Sequence, residues 1–271
     1  ARKSLVSSNL TPSAMTFFDS IILGVVEGLT EFLPISSTAH LVLTSKLLNL
    51  ESTGFLKSFE IVIQFGAILA VVFVYWRTLI SRWELNKKIL MAFLPTAIIG
   101  LVFYKLVKDI FLDNYLISVW ALAIGGLLII VFELWYRTEN AKILELENIT
   151  YKQAFVIGLF QSIAIIPGVS RAAATILGGM FVGVKRRTIV EFSFLLAIPT
   201  MVAATGLDLI KSANLFSQAD FISLGVGFVV SFITAILGIK FLLKFIQSHN
   251  FTSFGIYRII LALGFILFSA R

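Results

Sequence analysis

Glu27 and Glu31 lie four residues apart in an otherwise apolar stretch, so a helix there puts both carboxylates on one face. Side by side they repel, unless a proton or a cation sits between them. In a membrane segment an ionised side chain costs roughly 2.5–3.5 kcal/mol on insertion scales. Two readings follow: a leg that faces water and merely solvates both groups, or a divalent-cation site. Hard oxygen ligands with few protein carboxylates suit Mg²⁺ or Ca²⁺ held jointly with a phosphate.

Past Pro34 the chain reads Ile35-Ser36-Ser37-Thr38-Ala39-His40. Proline followed by hydroxyls describes a helix start, and a helix start presents free N–H groups to an anion. Ser37 and His40, three apart, share a face, so the imidazole can reach toward the hydroxyl or toward a substrate. The plainer alternative is a histidine satisfied within the core. A second start follows at Pro167-Gly168-Val169-Ser170-Arg171-Ala172-Ala173-Ala174-Thr175. The planar fork of Arg171 fits phosphate oxygens in two-point fashion; a structural ion pair with Glu27 or Glu31 is the competing role. Ser36, Thr38, Ser170 and Thr175 are expected to add hydroxyl ligands for the same anion. Together the two starts suit a phosphate or diphosphate whose remaining bulk is lipid. The chain carries no Walker loop and no HExxH pattern.

The elements that must position these residues are membrane helices. Of 271 residues 58% are hydrophobic and 14% charged, with a mean hydropathy of +0.97, far more apolar than a soluble domain. In lipid every backbone polar group must bond internally, which leaves helices or a closed barrel, and the apolar runs are too long for barrel strands. Six stretches reach spanning length: residues 55–76, 89–106, 115–136, 188–207, 221–244 and 254–270. Two regions, 17–50 hinged at Pro34 and 151–184 hinged at Pro167, consist of two short legs each and are expected to form re-entrant helical hairpins. The predicted fold is an all-α integral membrane protein with six transmembrane helices plus two re-entrant hairpins in an inverted repeat.

Arg77, Arg82, Lys87 and Lys88 place the loop 77–88 in the cytoplasm by the positive-inside rule, with Lys185-Arg186-Arg187 on the same side. Three spans between the hairpins then make them enter from opposite faces. The repeats are expected at 15–136 and 151–271. Pro34 and Pro167 each precede a serine by three residues, and Glu27 and Gln161 hold nearly equivalent places. Interrupted segments in inverted repeats point to a midplane site. Met15 is expected to be the natural start, with residues 1–14 a polar added tail outside the membrane domain. The net charge of +7 sits in short loops and is explained by orientation and anionic lipid rather than nucleic acid. There is no cysteine, which removes thiolate chemistry and disulfides.

Glu27-Gly28-Leu29-Thr30-Glu31-Phe32-Leu33-Pro34, Ser36-Ser37-Thr38, Phe59-Glu60-Ile61-Val62-Ile63-Gln64 and Pro167-Gly168-Val169-Ser170-Arg171 resemble the motifs of the bacterial undecaprenyl-diphosphate phosphatases, the bacitracin-resistance family. The likeness runs from Met15 onward. It implies a multi-pass enzyme of the bacterial inner membrane that hydrolyses undecaprenyl diphosphate to the monophosphate and inorganic phosphate, recycling the carrier for cell-wall synthesis, with a divalent cation required. A polyprenyl diphosphate is then the partner, within membrane lipids, and a homodimer is left open. By position the family's acidic motif falls on Glu27 and Glu31, its serine–histidine motif on Ser37 and His40, and its arginine motif on Ser170, Arg171 and Thr175. Two departures stand out: Ala172 replaces a usual serine, and Ala39 a usual glycine. Ser37 is the preferred nucleophile, with His40 as base or orienter; attack by His40 or by water stays open. A lipid-phosphate transporter or flippase is the competing function, since broken helices in inverted repeats also build transporters.

Overall fold

The computed structural model describes residues 15–51, 53–103, 115–136, 141–212 and 220–269. Residues 1–14, the tail expected before Met15, and residues 104–114, 137–140 and 213–219 lie outside the described residues. Within them the chain forms ten α-helices: α1 (Phe17–Thr30), α2 (Ser37–Leu47), α3 (Gly54–Ser81), α4 (Trp83–Val102), α5 (Tyr115–Trp135), α6 (Tyr151–Ser162), α7 (Arg171–Phe181), α8 (Arg186–Ser212), α9 (Asp220–Phe245) and α10 (Thr252–Ser269).

Five of these, α3, α4, α5, α8 and α9, are long and apolar enough to cross a bilayer. The sixth expected span, 254–270, is α10, whose described apolar run is shorter than the other five. Large apolar side chains cover the outside, among them Phe73, Ile80, Leu134 and Leu267. Inside, a core around Phe32, Ile89, Ile157, Phe192 and Phe194 joins α4, α6 and α8 to the first hairpin. An exterior this apolar is at ease only in lipid, so the chain is an integral membrane protein.

The two hairpins are built alike from their own sequences. Thr16 caps α1, accepting from Asp19 N at 3.2 Å while the Asp19 carboxylate accepts from Thr16 N at 2.7 Å. Thr150 and Gln153 form the same reciprocal box at the start of α6, satisfying donors that a helix end leaves free. One sequence offset relates Thr16 to Thr150, Gly24 to Gly158, Glu27 to Gln161, Ser36 to Ser170 and Asn49 to Gly183. The last two pairs all have positive φ: 71° and 73° at the serines, 54° at Asn49 and 85° at Gly183. The true register is therefore Ser36 with Ser170, not Ser37 with Ser170. Pro34 stands opposite Gly168, because the left-handed residue at each hinge, rather than the proline, sets the correspondence.

Each hairpin packs on the other half. Helix α1 lies along α9, and α6 along α4; α3 meets α9, and α8 meets α4. Gly24 and Gly158 permit these approaches: a Cβ on the first would meet the carbonyl of Gly227 on α9, and on the second the carbonyl of Ala92 on α4. Small residues are what let helix backbones come this close in a membrane. Helices α3 and α8 pair with one another, as do α5 and α10.

Candidate active site

Both hinges end in a serine forced into the left-handed region, Ser36 (φ 71°, ψ 91°) and Ser170 (φ 73°, ψ 112°). Such non-glycine conformations cost on the order of 1–3 kcal/mol each and persist only where the surroundings impose them. Each turns the chain sharply into a new helix, α2 or α7. Ser170 caps α7 by accepting from Ala173 N at 3.2 Å. Ser36 makes no such side-chain bond, so the first-turn N–H groups of α2 stay uncapped and available to an anion.

Beside these starts lies a cavity of about 820 Å³. Glu31, Ser36, Ser37, Thr38, Ser170 and Arg171 line it, six residues drawn from both hinges. Phe93, Ala97 and Leu101 of α4 and Val202 of α8 add apolar side chains to the same wall. Charged, hydroxyl and apolar groups together suit a phosphorylated lipid.

Glu31 is the junction. One carboxylate oxygen accepts the Ser37 hydroxyl at 2.5 Å, and the other pairs with Arg171 Nη2 at 2.9 Å. Arg171 also donates to the Ser193 carbonyl at 3.0 Å and lies over the Phe32 ring, 5.7 Å from its centroid. The ion pair expected as an alternative for Arg171 is thus present, yet the guanidinium still lines the cavity. A charged acceptor on a serine hydroxyl both orients it and can take its proton.

Glu27 is fully buried, one helical turn before Glu31. Neither of its carboxylate oxygens has a hydrogen-bond partner among the described residues. Two hard oxygens without a donor, close against the Glu31 carboxylate, fit a proton shared between the two carboxylates or an oxygen-seeking divalent cation.

Three expected site residues are absent from the cavity wall: Glu27, His40 and Thr175. His40 does not reach Ser37: its Nδ1 bonds the Ser36 carbonyl at 2.7 Å and its Nε2 the Tyr257 hydroxyl at 2.8 Å. Both ring nitrogens are occupied, and the group that accepts the Ser37 hydroxyl is Glu31. Thr175 is fully buried and off the cavity wall. Its hydroxyl donates to the Arg171 carbonyl at 2.8 Å and reaches Gln161 Oε1 at 3.2 Å, so it braces the site rather than facing a ligand. The departures at Ala39 and Ala172 fall on buried positions, away from the cavity wall.

Sequence reasoning passed over Gln161 as more than a counterpart of Glu27. Its amide donates to Thr96 at 2.9 Å and Thr200 at 3.0 Å, tying α6 to α4 and α8 along the cavity. Each threonine follows an interior proline, Pro95 and Pro199. Gln64 also lines the cavity. Arg258 went unremarked inside an expected span, although a lone arginine in apolar sequence is itself a signal.

The family described as "Bacitracin resistance protein BacA" matches residues 20–264. An undecaprenyl-diphosphatase of Sulfurihydrogenibium sp. is 51% identical over 253 residues, covering 93% of this chain and 99% of that protein. Those of Persephonella marina and Aquifex aeolicus are 51% and 48% identical, each over 94% of this chain and 99% of their own length.

Proposed function

The chain belongs to the bacitracin resistance protein BacA family, and from that membership and the site we propose how it works as an undecaprenyl-diphosphate phosphatase. It hydrolyses undecaprenyl diphosphate to undecaprenyl phosphate and inorganic phosphate, returning the carrier lipid to cell-wall synthesis. The observation that carries the mechanism is Glu31 bridging the Ser37 hydroxyl and the Arg171 guanidinium on a cavity wall.

The diphosphate enters with its lipid chain along the wall's apolar side chains. Arg171 and the uncapped start of α2 hold its oxygens. Ser37 Oγ attacks the terminal phosphorus, and its proton passes to Glu31. The bond to the bridging oxygen breaks, and undecaprenyl phosphate departs with the electron pair. Glu31 passes that proton to the departing undecaprenyl phosphate. Water then attacks the phosphoserine phosphorus and loses a proton to Glu31. The bond to Ser37 Oγ breaks as the serine takes that proton back, and inorganic phosphate leaves. Phosphoryl transfer has a loose transition state, so positioning and charge stabilisation supply most of the acceleration. Glu27 and Glu31 are the residues that would hold a divalent cation, supported by the orphaned Glu27 oxygens. When bound, such a cation neutralises charge building up on the phosphates. His40 holds the Ser36 carbonyl, and so the start of α2, rather than moving the serine proton.

The finer architecture we favour is six transmembrane helices plus two re-entrant hairpins in an inverted repeat. It is supported by the matching hinges and by the exchange of packing partners between halves. The cavity wall uses Thr96, Gly100 and Leu101 of α4 and Thr200 and Gly206 of α8, toward the ends of those helices remote from Arg82, Lys87, Lys88 and Lys185-Arg186-Arg187. With those cations in the cytoplasm, the cavity opens toward the outer face of the inner membrane.

Purified protein should release inorganic phosphate from undecaprenyl diphosphate, with activity lost on chelation and restored by Mg²⁺ or Ca²⁺. Folded protein that moves the lipid across vesicles but releases no phosphate would make it a transporter. A transporter has no use for a serine held on a carboxylate. Arg171→Lys keeps the charge and loses the fork, so kcat/KM should fall at least about tenfold; unchanged kinetics would reduce Arg171 to a structural ion pair.

A further inference from the structure

Arg258 is fully buried in the middle of α10, with no carboxylate paired to it among the described residues. A buried arginine without a counter-ion is costly, and such groups are kept where they do something. All its described hydrogen bonds go to backbone carbonyls. Nε donates to Leu122 at 3.2 Å; Nη1 to Pro34 at 3.3 Å and Val169 at 2.9 Å; Nη2 to Ala121 at 3.1 Å and Gly168 at 2.9 Å. A guanidinium has five N–H donors in a fixed plane, and here five carbonyls receive them. Pro34 belongs to the first hinge, Gly168 and Val169 to the second, and Ala121 and Leu122 to α5. Gly125 makes the room: a Cβ there would collide with Arg258 Nη2.

The neighbouring residue completes the set. Tyr257 stacks on His40, ring centroids 5.6 Å apart and planes 11° from parallel, and its hydroxyl bonds His40 Nε2 at 2.8 Å. With Nδ1–H donated to the Ser36 carbonyl, Nε2 is left as the acceptor of the tyrosine proton. The chain of contacts thus runs from α10 through His40 to the strained residue immediately before Ser37. Neither Tyr257 nor Arg258 lines the cavity.

We propose that Tyr257-Arg258 is the positioning element of the hydrolysis, clamping both hinge backbones to one another and to α5 so that Ser37 and Arg171 face the same phosphate. The two hinges are otherwise distant in sequence and meet at the site chiefly through Glu31 and Arg171. Arg258 supplies a second tie, made to backbone and independent of substrate. The proposal rests on the phosphatase reading for its kinetic consequence, but not for its geometric one.

Two measurements on the full-length protein test it. Tyr257→Phe keeps the ring and loses one hydroxyl; kcat should fall about tenfold with KM within about threefold. Arg258→Lys offers one ammonium where five carbonyls wait; kcat should fall about a hundredfold, the loss a misplacement near 1 Å produces. Stoichiometric binding of undecaprenyl phosphate gives the folded fraction of each variant and separates lost geometry from lost protein. Because the chain has no cysteine, spin labels can be placed at Leu47 and Phe181, the exposed far ends of α2 and α7. Their distance distribution should broaden or shift in Arg258→Lys. A distribution as narrow and centred as the parent's overturns the clamp whether or not the parent is a phosphatase. So does kcat within threefold of the parent in Tyr257→Phe, which decides the matter alone where Arg258→Lys does not fold. A parent with no phosphate release overturns the phosphatase reading instead, and the label pair still judges the clamp.

Discussion

Ser37→Ala is expected to remove nearly all turnover, about a thousandfold or more in kcat, while undecaprenyl diphosphate still binds. Three decades of rate correspond to about 4 kcal/mol of transition-state stabilisation. Losing a single hydrogen bond to a charged phosphate costs about 1.5–3 kcal/mol, or roughly 10- to 200-fold. The size of the defect therefore separates a nucleophile from a phosphate-binding hydroxyl. Binding should survive because Arg171 and the uncapped start of α2 remain in place. A direct check is the phosphoenzyme: rapid acid quench of the parent with terminally ³²P-labelled substrate should leave label on Ser37, and none on the variant. If Ser37→Ala keeps a tenth or more of the parent rate, serine attack is wrong, and a water activated by Glu31 takes its place.

Glu31→Gln is expected to match that loss, for two reasons. The amide cannot take the Ser37 proton, and it cannot balance Arg171, whose ion pair lies almost wholly inside the protein. Breaking one side of a buried pair typically costs about 3–5 kcal/mol, because the remaining charge is left uncompensated. Lower thermal stability in detergent should therefore accompany the loss of kcat. Glu27→Gln makes the contrast. Glu27 has no hydrogen bond to lose among the described residues, so its substitution should mainly raise the cation concentration needed for half activation, with kcat partly recovered at saturation. Full recovery of Glu31→Gln at high cation would make Glu31 a ligand only and return the base to solvent. An unchanged cation dependence in Glu27→Gln would take the cation away from these carboxylates.

The difference between these two glutamates was not visible in their spacing. Four residues apart on one helix, they were interchangeable until α7 arrived from the other half of the chain and placed Arg171 against only one of them. His40 shows the same limit. Three residues from Ser37, it was within plausible reach of the hydroxyl, but a ring on α10 more than two hundred positions away claimed its second nitrogen. Thr175 carried a motif's position and a buried side chain at once, and the burial decides what it can touch.

By itself the sequence determined the solvent, the secondary structure and the kind of chemistry. Hydropathy is local, so apolar runs long enough to cross lipid were read directly, and five of the six expected spans stand as such. The hinges at Pro34 and Pro167 were local too, because proline and clustered hydroxyls bias a few residues of backbone whatever surrounds them. So was the presence of carboxylates, a histidine and an arginine at depth, where each is too costly to be incidental. Only the tertiary structure decided how these groups were apportioned. A buried polar atom must find a partner through space, and the partners came from other helices: Arg171 for Glu31, Tyr257 for His40, Gln161 for Thr96 and Thr200. Arg258 is the extreme case. Its five acceptors are carbonyls, which every residue possesses and no sequence pattern distinguishes, so its role exists only once three separate stretches of backbone have been folded around it.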